Sequence, residues 1–232
     1  MSTLYEMSRD GDQPPIWARP EPRGRGRHVQ LSRATIVTAA IEIADAEGLD
    51  AVSMRRLGRE LQAGAMSLYH YFENREELLE LMIDTVAAEM VVPELSDEWR
   101  PAVEAVAHRS RGMFHRHPWF LLQPVIPVTP NLLRHVEQSA RSIAPLGGVA
   151  DPGLLASLVS AVDDFTVGFT LRELGSEQRH GREWNSPELR RLLDSGEFPL
   201  VASFIAADSP MPPPDFELGL KWLLDGFEAQ LA

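Results

Sequence analysis

Residues Met54–Arg75, MRRLGRELQAGAMSLYHYFENR, decide how this chain is read. Leu57 and Leu61 recur at helical spacing, and Ala63-Gly64-Ala65 supplies a turn of small residues. Leu68 and Phe72 then anchor a second short helix, Ala65 to Tyr71, from below. Two short helices across a tight turn are the layout of a helix-turn-helix, whose second helix enters the major groove of DNA. The remaining side chains of that helix suit the task. Ala65 and Met66 offer apolar surface to a thymine methyl, and Ser67 serves a base edge or a phosphate. Tyr69 presents a phenol to a phosphate oxygen, and His70 donates to phosphate or accepts from a base. Tyr71 admits two readings, a DNA contact or a core residue. Arg56 and Arg59 admit a DNA contact or a solvated helix face.

Helical periodicity continues on both sides. Ser32 is placed to cap a helix whose Ile36, Val37, Ala40, Ile41 and Ala44 share a face, and Gly48 ends it. Ser53 caps the first helix of the pair. Asn74 opens the next, with Glu77 three residues on, and Leu78, Leu79, Met82, Ile83 and Val86 form its apolar face as far as Pro93. Trp99, Val103, Val106 and Met113 mark a further helix closed by Pro118. Thr129-Pro130, Asp151-Pro152 and Ser186-Pro187 are cap-then-proline starts. Residues 196–214 read as a proline-rich connection, after which Asp215 caps a last helix containing Leu218, Leu220, Trp222, Leu223 and Phe227. No alternating strand pattern and no internal repeat is visible, so the expected fold is all-α. Three parts are expected: a disordered Arg/Pro/Gly-rich arm over 1–30, a helix-turn-helix domain over 31–76 and a larger helical domain over 77–232. The arm ends in Pro22-Arg23-Gly24-Arg25-Gly26-Arg27, similar to the core of an AT-hook. Minor-groove contact and a plain solvated arm both fit that run.

The chain has 232 residues, 44% of them hydrophobic, which is ample for a packed core. It has no cysteine, which removes disulfides and thiolate zinc sites together. No run of eighteen or more apolar residues appears and the polar N-terminus has no signal-peptide core, so a cytoplasmic protein without a membrane span is expected. A formal charge of −12 does not exclude a nucleic-acid partner. DNA senses the field within about 8–10 Å, and Arg19, Arg23, Arg25, Arg27, Arg33, Arg55, Arg56 and Arg59 cluster early. Lys221 is the only lysine.

The stretch LSRATIVTAAIEIADAEGLDAVSMRRLGRELQAGAMSLYHYFENREELLELM, and LYHYFENREELL above all, resembles the TetR family of bacterial transcriptional regulators over residues 31–85. LVSAVDDFTVGFTLR (158–172) and FELGLKWLLDGFEAQL (216–231) resemble the C-terminal domain of the tetracycline-repressor branch. The resemblance implies a ligand-responsive repressor. It would bind a pseudo-palindromic site on double-stranded DNA as a homodimer, with a four-helix interface built by those two helices from each subunit, and would be released by a small-molecule effector. It implies a base contact for Arg55 and a phosphate contact for Arg75. It also implies an effector cavity, for which Met113, Phe114, Trp119, Phe120, Phe165 and Phe169 are candidates, although residues at such helical spacing are more often ordinary core. In tetracycline repressors a histidine and a glutamate help hold a magnesium–drug complex. The best-matching positions here carry Gln123 and Arg172, with Glu173 adjacent, a departure from that ligand set.

Other classes find less support. There is no Cys–His pair, nucleophile elbow, phosphate loop or metal-binding helix motif, so neither an enzyme nor a cofactor is expected. His108, His115 and His117 invite a metal, but on a helix His115 and His117 diverge by about 200°, and no metal is expected. The adjacent Asp163 and Asp164 fit either a cationic effector or an arginine partner. A ligand-independent DNA-binder and an activator remain the alternatives to a repressor.

Overall fold

A computed structural model describes residues 14–22, 31–146, 151–177, 186–206 and 215–231. Among these the regular elements are helices, with no strand. They are α1 (Arg33–Glu47), α2 (Met54–Glu60), α3 (Ala65–Leu68), α4 (Arg75–Ala87), α5 (Trp99–Arg116), α6 (Pro130–Ile143), α7 (Pro152–Glu177), α8 (Pro187–Asp194), α9 (Pro199–Ala206) and α10 (Phe216–Leu231). They gather into two compact units, one of Met1–Pro93 with Arg116–Gln138, the other of Glu94–His115 with Ser139–Ala232. The unit holding the helix-turn-helix thus extends past the expected limit at residue 76 and takes in a later stretch of chain.

The caps of the first unit follow the sequence. Ser32 accepts from the Thr35 amide while the Thr35 hydroxyl accepts from the Ser32 amide, and Gly48 ends α1 with φ +87°. Ser53 accepts from Arg56 and Asn74 from Glu77. The apolar face of α1 (Ile36, Val37, Ala40, Ile43) is buried along with Leu57, Leu68, Phe72, Leu78, Met82, Ile83 and Val86. α4 is shorter than its apolar pattern, because its last turn tightens into a 3-10 turn at Ala88–Met90. Polar clamps hold the later stretch to it. The Asn131 amide groups donate to the Asp84 carboxylate at 2.8 and 3.0 Å, and Gln138 pairs with both backbone groups of Val92.

The second unit packs α5, the end of α6, α7 and α10 around Val103, Ala107, Ile143, Leu158, Val159, Val162, Phe169, Phe216, Leu220 and Leu224. Gly219 brings α10 close to α7, since a Cβ there would stand 2.8 Å from the Phe165 ring. Two expectations need correction. Residues 14–22, expected within a disordered arm, fold onto the first unit around the buried Ile16. Residues 199–206, expected in a connection, form α9, because Pro199 sits in the first turn, where a missing N–H costs nothing. The Arg-Gly run of 23–27 lies outside the described residues. By length and mean hydropathy, Pro152–Gly175 of α7 would reach across a membrane. It instead carries the Asp163–Asp164 pair and gives Leu158, Val159, Val162 and Phe169 to the core.

Candidate nucleic-acid interface and effector residues

The first helix pair is brought together by Gly58. Its carbonyl accepts from the Ala63 amide at 2.9 Å, and a Cβ at 58 would lie 2.8 Å from the Ala63 oxygen. Only glycine allows the turn to fold back this closely. Gln62 completes the turn with φ +49°. α3 is then a single turn of four residues, fixed by Leu68 and Phe72, whose burial is worth about 1.5–3 kcal/mol each.

That anchoring turns the opposite side outward. Met66 is 81% exposed and Tyr69 49% exposed. Ser67 and His70 are also exposed, and Ala65 is half-buried at the start. On α2, Arg55 is exposed and pairs with no described residue, whereas Arg56 is held by Glu47 at 2.8 Å and Glu60 at 2.6 Å. Arg56 is therefore a solvated ion-pair residue. A groove of about 390 Å³ runs beside Tyr69, lined by Val52, Ser53, Met54, Glu73, Asn74, Arg75 and Leu78. Arg75 lies at its edge, exposed, with its guanidinium donating to the Leu49 and Val52 carbonyls at 3.0 and 3.3 Å.

Tyr71 is corrected: its DNA reading fails and its core reading holds. The helix stops at Leu68 and residues 69–71 form a turn, which rotates Tyr71 off the outward face. It is 6% exposed, and its hydroxyl donates to the Leu31 carbonyl at 2.8 Å. Sequence reading missed Arg33, which reaches the Tyr71 carbonyl. The apolar Ile16-Trp17 pair between prolines was the available signal that this region is anchored.

The effector candidates divide between the units. Trp119, Phe120 and Gln123 belong to the first. Trp119 and Phe120 are buried in a 3-10 turn, Pro118–Leu122. The Trp119 indole donates to Asp45 at 2.7 Å, and the Gln123 amide donates to the Trp119 carbonyl. Met113, Phe114, Phe165 and Phe169 belong to the second, where the first two are buried on α5. Phe165 and Phe169 meet at 5.6 Å between ring centroids, and Phe216 joins both. Arginines lie on these rings, Arg111 over Phe216 at 4.7 Å and Arg172 over Phe169 at 4.8 Å. Arg111 also grips Glu173 through two hydrogen bonds of 2.7 and 3.0 Å, and His115 reaches the same carboxylate at 3.0 Å. Burial pushes the Glu173 carboxyl up, but its Arg111 and His115 hydrogen bonds outweigh that and hold it below the usual range.

The three histidines do not converge. His108 faces Glu217, His115 faces Glu173, and His117 lies between Asp45 and Glu89. Among the described residues no three His, Cys, Asp or Glu side chains gather as a metal set.

Comparison with known proteins adds to this geometry. Residues 36–82 match the family described as bacterial regulatory proteins, tetR family, and residues 92–231 match the tetracyclin repressor-like C-terminal domain. The chain is 35% identical to the HTH-type transcriptional repressor DrrR1 of Streptomyces coeruleorubidus over 94% of its own length and 84% of that protein. It is 26% identical to the class A tetracycline repressor protein from transposon 1721, of Escherichia coli, over 85% of this chain and 90% of that one. The crystal structure of ActR, a TetR family protein of Streptomyces coelicolor, in complex with actinorhodin is similar with a TM-score of 0.69. That likeness runs at 31% identity over 88% of this chain and 100% of the other.

Proposed function

Because the chain belongs to the tetR family of bacterial regulatory proteins, we propose that it is a cytoplasmic, non-enzymatic repressor that binds a two-fold symmetric operator as a homodimer and leaves it when a small molecule binds. The observation that carries this reading is the outward face of α3. Met66, Ser67, Tyr69 and His70 stand in solvent on a turn whose other side is locked into the core. Ala65, Met66, Ser67 and His70 are assigned to base edges and nearby phosphates, Arg55 to a base, and Tyr69 and Arg75 to the phosphate backbone beside the groove.

The homodimer reading is supported by apolar surface left on α7 and α10, namely Leu171, Leu218 and Trp222. Dimerisation presents two copies of α3 about 34–36 Å apart, matching one helical turn of DNA. The effector is assigned to the second unit, beside Met113, Phe114, Phe165 and Phe169, with Trp119, Phe120 and Gln123 as candidates for transmitting its presence within the first. The Phe165–Phe169 pair with Arg172 over Phe169 suits an aromatic effector that carries acceptor oxygens, whereas Arg111 is held by Glu173. ActR, solved with actinorhodin, is a relative of this kind. The effector acts only through its different affinity for the DNA-bound and released states.

Genome-wide mapping of bound DNA tests the reading. The genes flanking the operator name compounds to be tried for release of the protein from that site. Binding with no sequence preference at moderate salt would defeat the proposal.

A further inference from the structure

The family match to the reading head begins at residue 36, yet the chain upstream of it is built into that head. Ile16 opens a 3-10 turn, Ile16–Ala18, and is 1% exposed. Arg19 follows it, donating to Glu73 at 3.2 Å and pairing with Glu77. Arg33, the first residue of α1, gathers this strap. Its guanidinium donates to the Arg19 carbonyl at 2.8 Å and, more weakly, to the Ile16 carbonyl at 3.5 Å, while its backbone amide donates to Glu21 at 2.7 Å. The same guanidinium donates to the Tyr71 carbonyl at 3.3 Å.

These contacts converge on residues 71–77, the end of the link from α3 and the first turn of α4. It is held from upstream at four points: the Tyr71 carbonyl by Arg33, the Tyr71 hydroxyl by the Leu31 carbonyl, and Glu73 and Glu77 by Arg19. Glu77 also accepts from the Glu73 amide at 2.8 Å, closing the first turn of α4. A helix of one turn cannot fix its own direction, because a single turn is not stable alone. The pose of α3 is set by what grips its two ends. The Gly58 turn grips one, and residues 71–77 carry the other.

We infer that Ile16, Arg19 and Arg33 form a brace that sets the pose of the recognition helix and are positioning residues for operator reading. The inference rests on the DNA-binding function proposed above. Arg19 has two carboxylates against its guanidinium, and Arg33 spends its donors on backbone carbonyls. Neither therefore acts as a phosphate contact, and their effect on DNA runs through the geometry of α3.

The test uses the full chain and two duplexes: the one wild-type protein recovers from a random-sequence pool, and a scrambled duplex of equal length. Dissociation constants are measured across a salt series for wild type, Ile16→Ala, Arg19→Ala, Arg19→Lys and Arg33→Ala. The brace predicts that Arg19→Ala and Arg33→Ala weaken the selected duplex about tenfold. It predicts that they shift the scrambled duplex less than about twofold and leave the slope of log K against log salt unchanged. Arg19→Lys, which still reaches a carboxylate, recovers most of the loss. Should Arg33→Ala not fold, Arg19→Ala carries the test, with Arg19→Lys as the milder change at the same position.

Proportional weakening on both duplexes, or no weakening, would reduce the brace to a stability element and overturn the inference. A salt slope smaller by about one would make Arg19 a phosphate contact and overturn it equally. If wild type itself selects no duplex, the DNA-regulator reading falls and the brace's role in it falls too. If wild type and Arg19→Ala select equally well, only the brace falls.

Discussion

Tyr69 and Tyr71 are two residues apart and have opposite fates. The phenol of Tyr69 stands beside the groove, whereas that of Tyr71 is spent on the Leu31 carbonyl. Tyr69→Ala is expected to weaken operator binding with little change in thermal unfolding. Tyr71→Phe is expected to lower stability by about 1 kcal/mol, the worth of one hydrogen bond, and to weaken operator binding less than Arg19→Ala does, because three of the four holds on residues 71–77 remain. A Tyr71→Phe protein of full stability that has lost the operator would reverse this assignment. Two ionisable groups, the buried His135 and the half-buried Asp163, give a second prediction at this scale. Burial lowers His135 to about 4, so folding binds the neutral form and stability falls as pH drops from about 6.5 towards 4. Burial, with Asp164 beside it, raises Asp163 to about 6, so its contribution is present at low pH and is lost as pH rises through about 4 to 6. The two slopes oppose each other in that window. Asp163→Asn removes one of them, so denaturant unfolding at pH 6 and pH 4.5 is expected to show a larger loss on acidification than wild type. Equal losses would contradict the assignment.

Among the elements, the α2–α3 turn depends on backbone approach rather than side-chain chemistry. In Gly58→Ala the new methyl meets the Ala63 oxygen and the Ala65 nitrogen, both backbone, and something must move. The expected cost is about 1–3 kcal/mol in thermal unfolding, together with weaker operator binding. Gln62→Gly, at a left-handed position, is expected to go the other way by up to about 1 kcal/mol. A Gly58→Ala protein as stable as wild type would show that the turn has slack. The helices with caps and periodic apolar residues were legible from sequence, since Ser32, Ser53, Asn74, Asp151, Ser186 and Asp215 all act locally. The end of α3 at Leu68 was not legible. Past that end Tyr71 turns inward and donates to a carbonyl forty residues earlier, a contact that no local pattern carries. The strap of 14–22 stayed hidden for the same reason. Its proline-rich composition reads as disorder until Glu73, Glu77 and Arg33 are brought against it.

At the scale of the molecule, the reading head and the second unit are each compact, and the proposed regulation needs two chains. Trp222 is 65% exposed on α10, with Leu218 exposed on the same helix. Trp222→Glu is expected to yield a monomer in sedimentation and to lose operator affinity steeply, because one α3 alone reaches a single half-site. A Trp222→Glu protein that stays dimeric would move the interface away from that face. The most direct trial of the central claim, that the outward face of α3 reads DNA sequence, is sequencing of the duplexes retained by the wild-type protein from a random pool at moderate salt. The account predicts a two-fold symmetric site with half-sites one helical turn apart, about 10–10.5 base pairs. It further predicts that substituting Ser67 changes the preferred base at one position of each half-site. Retained duplexes that share no sequence would contradict it.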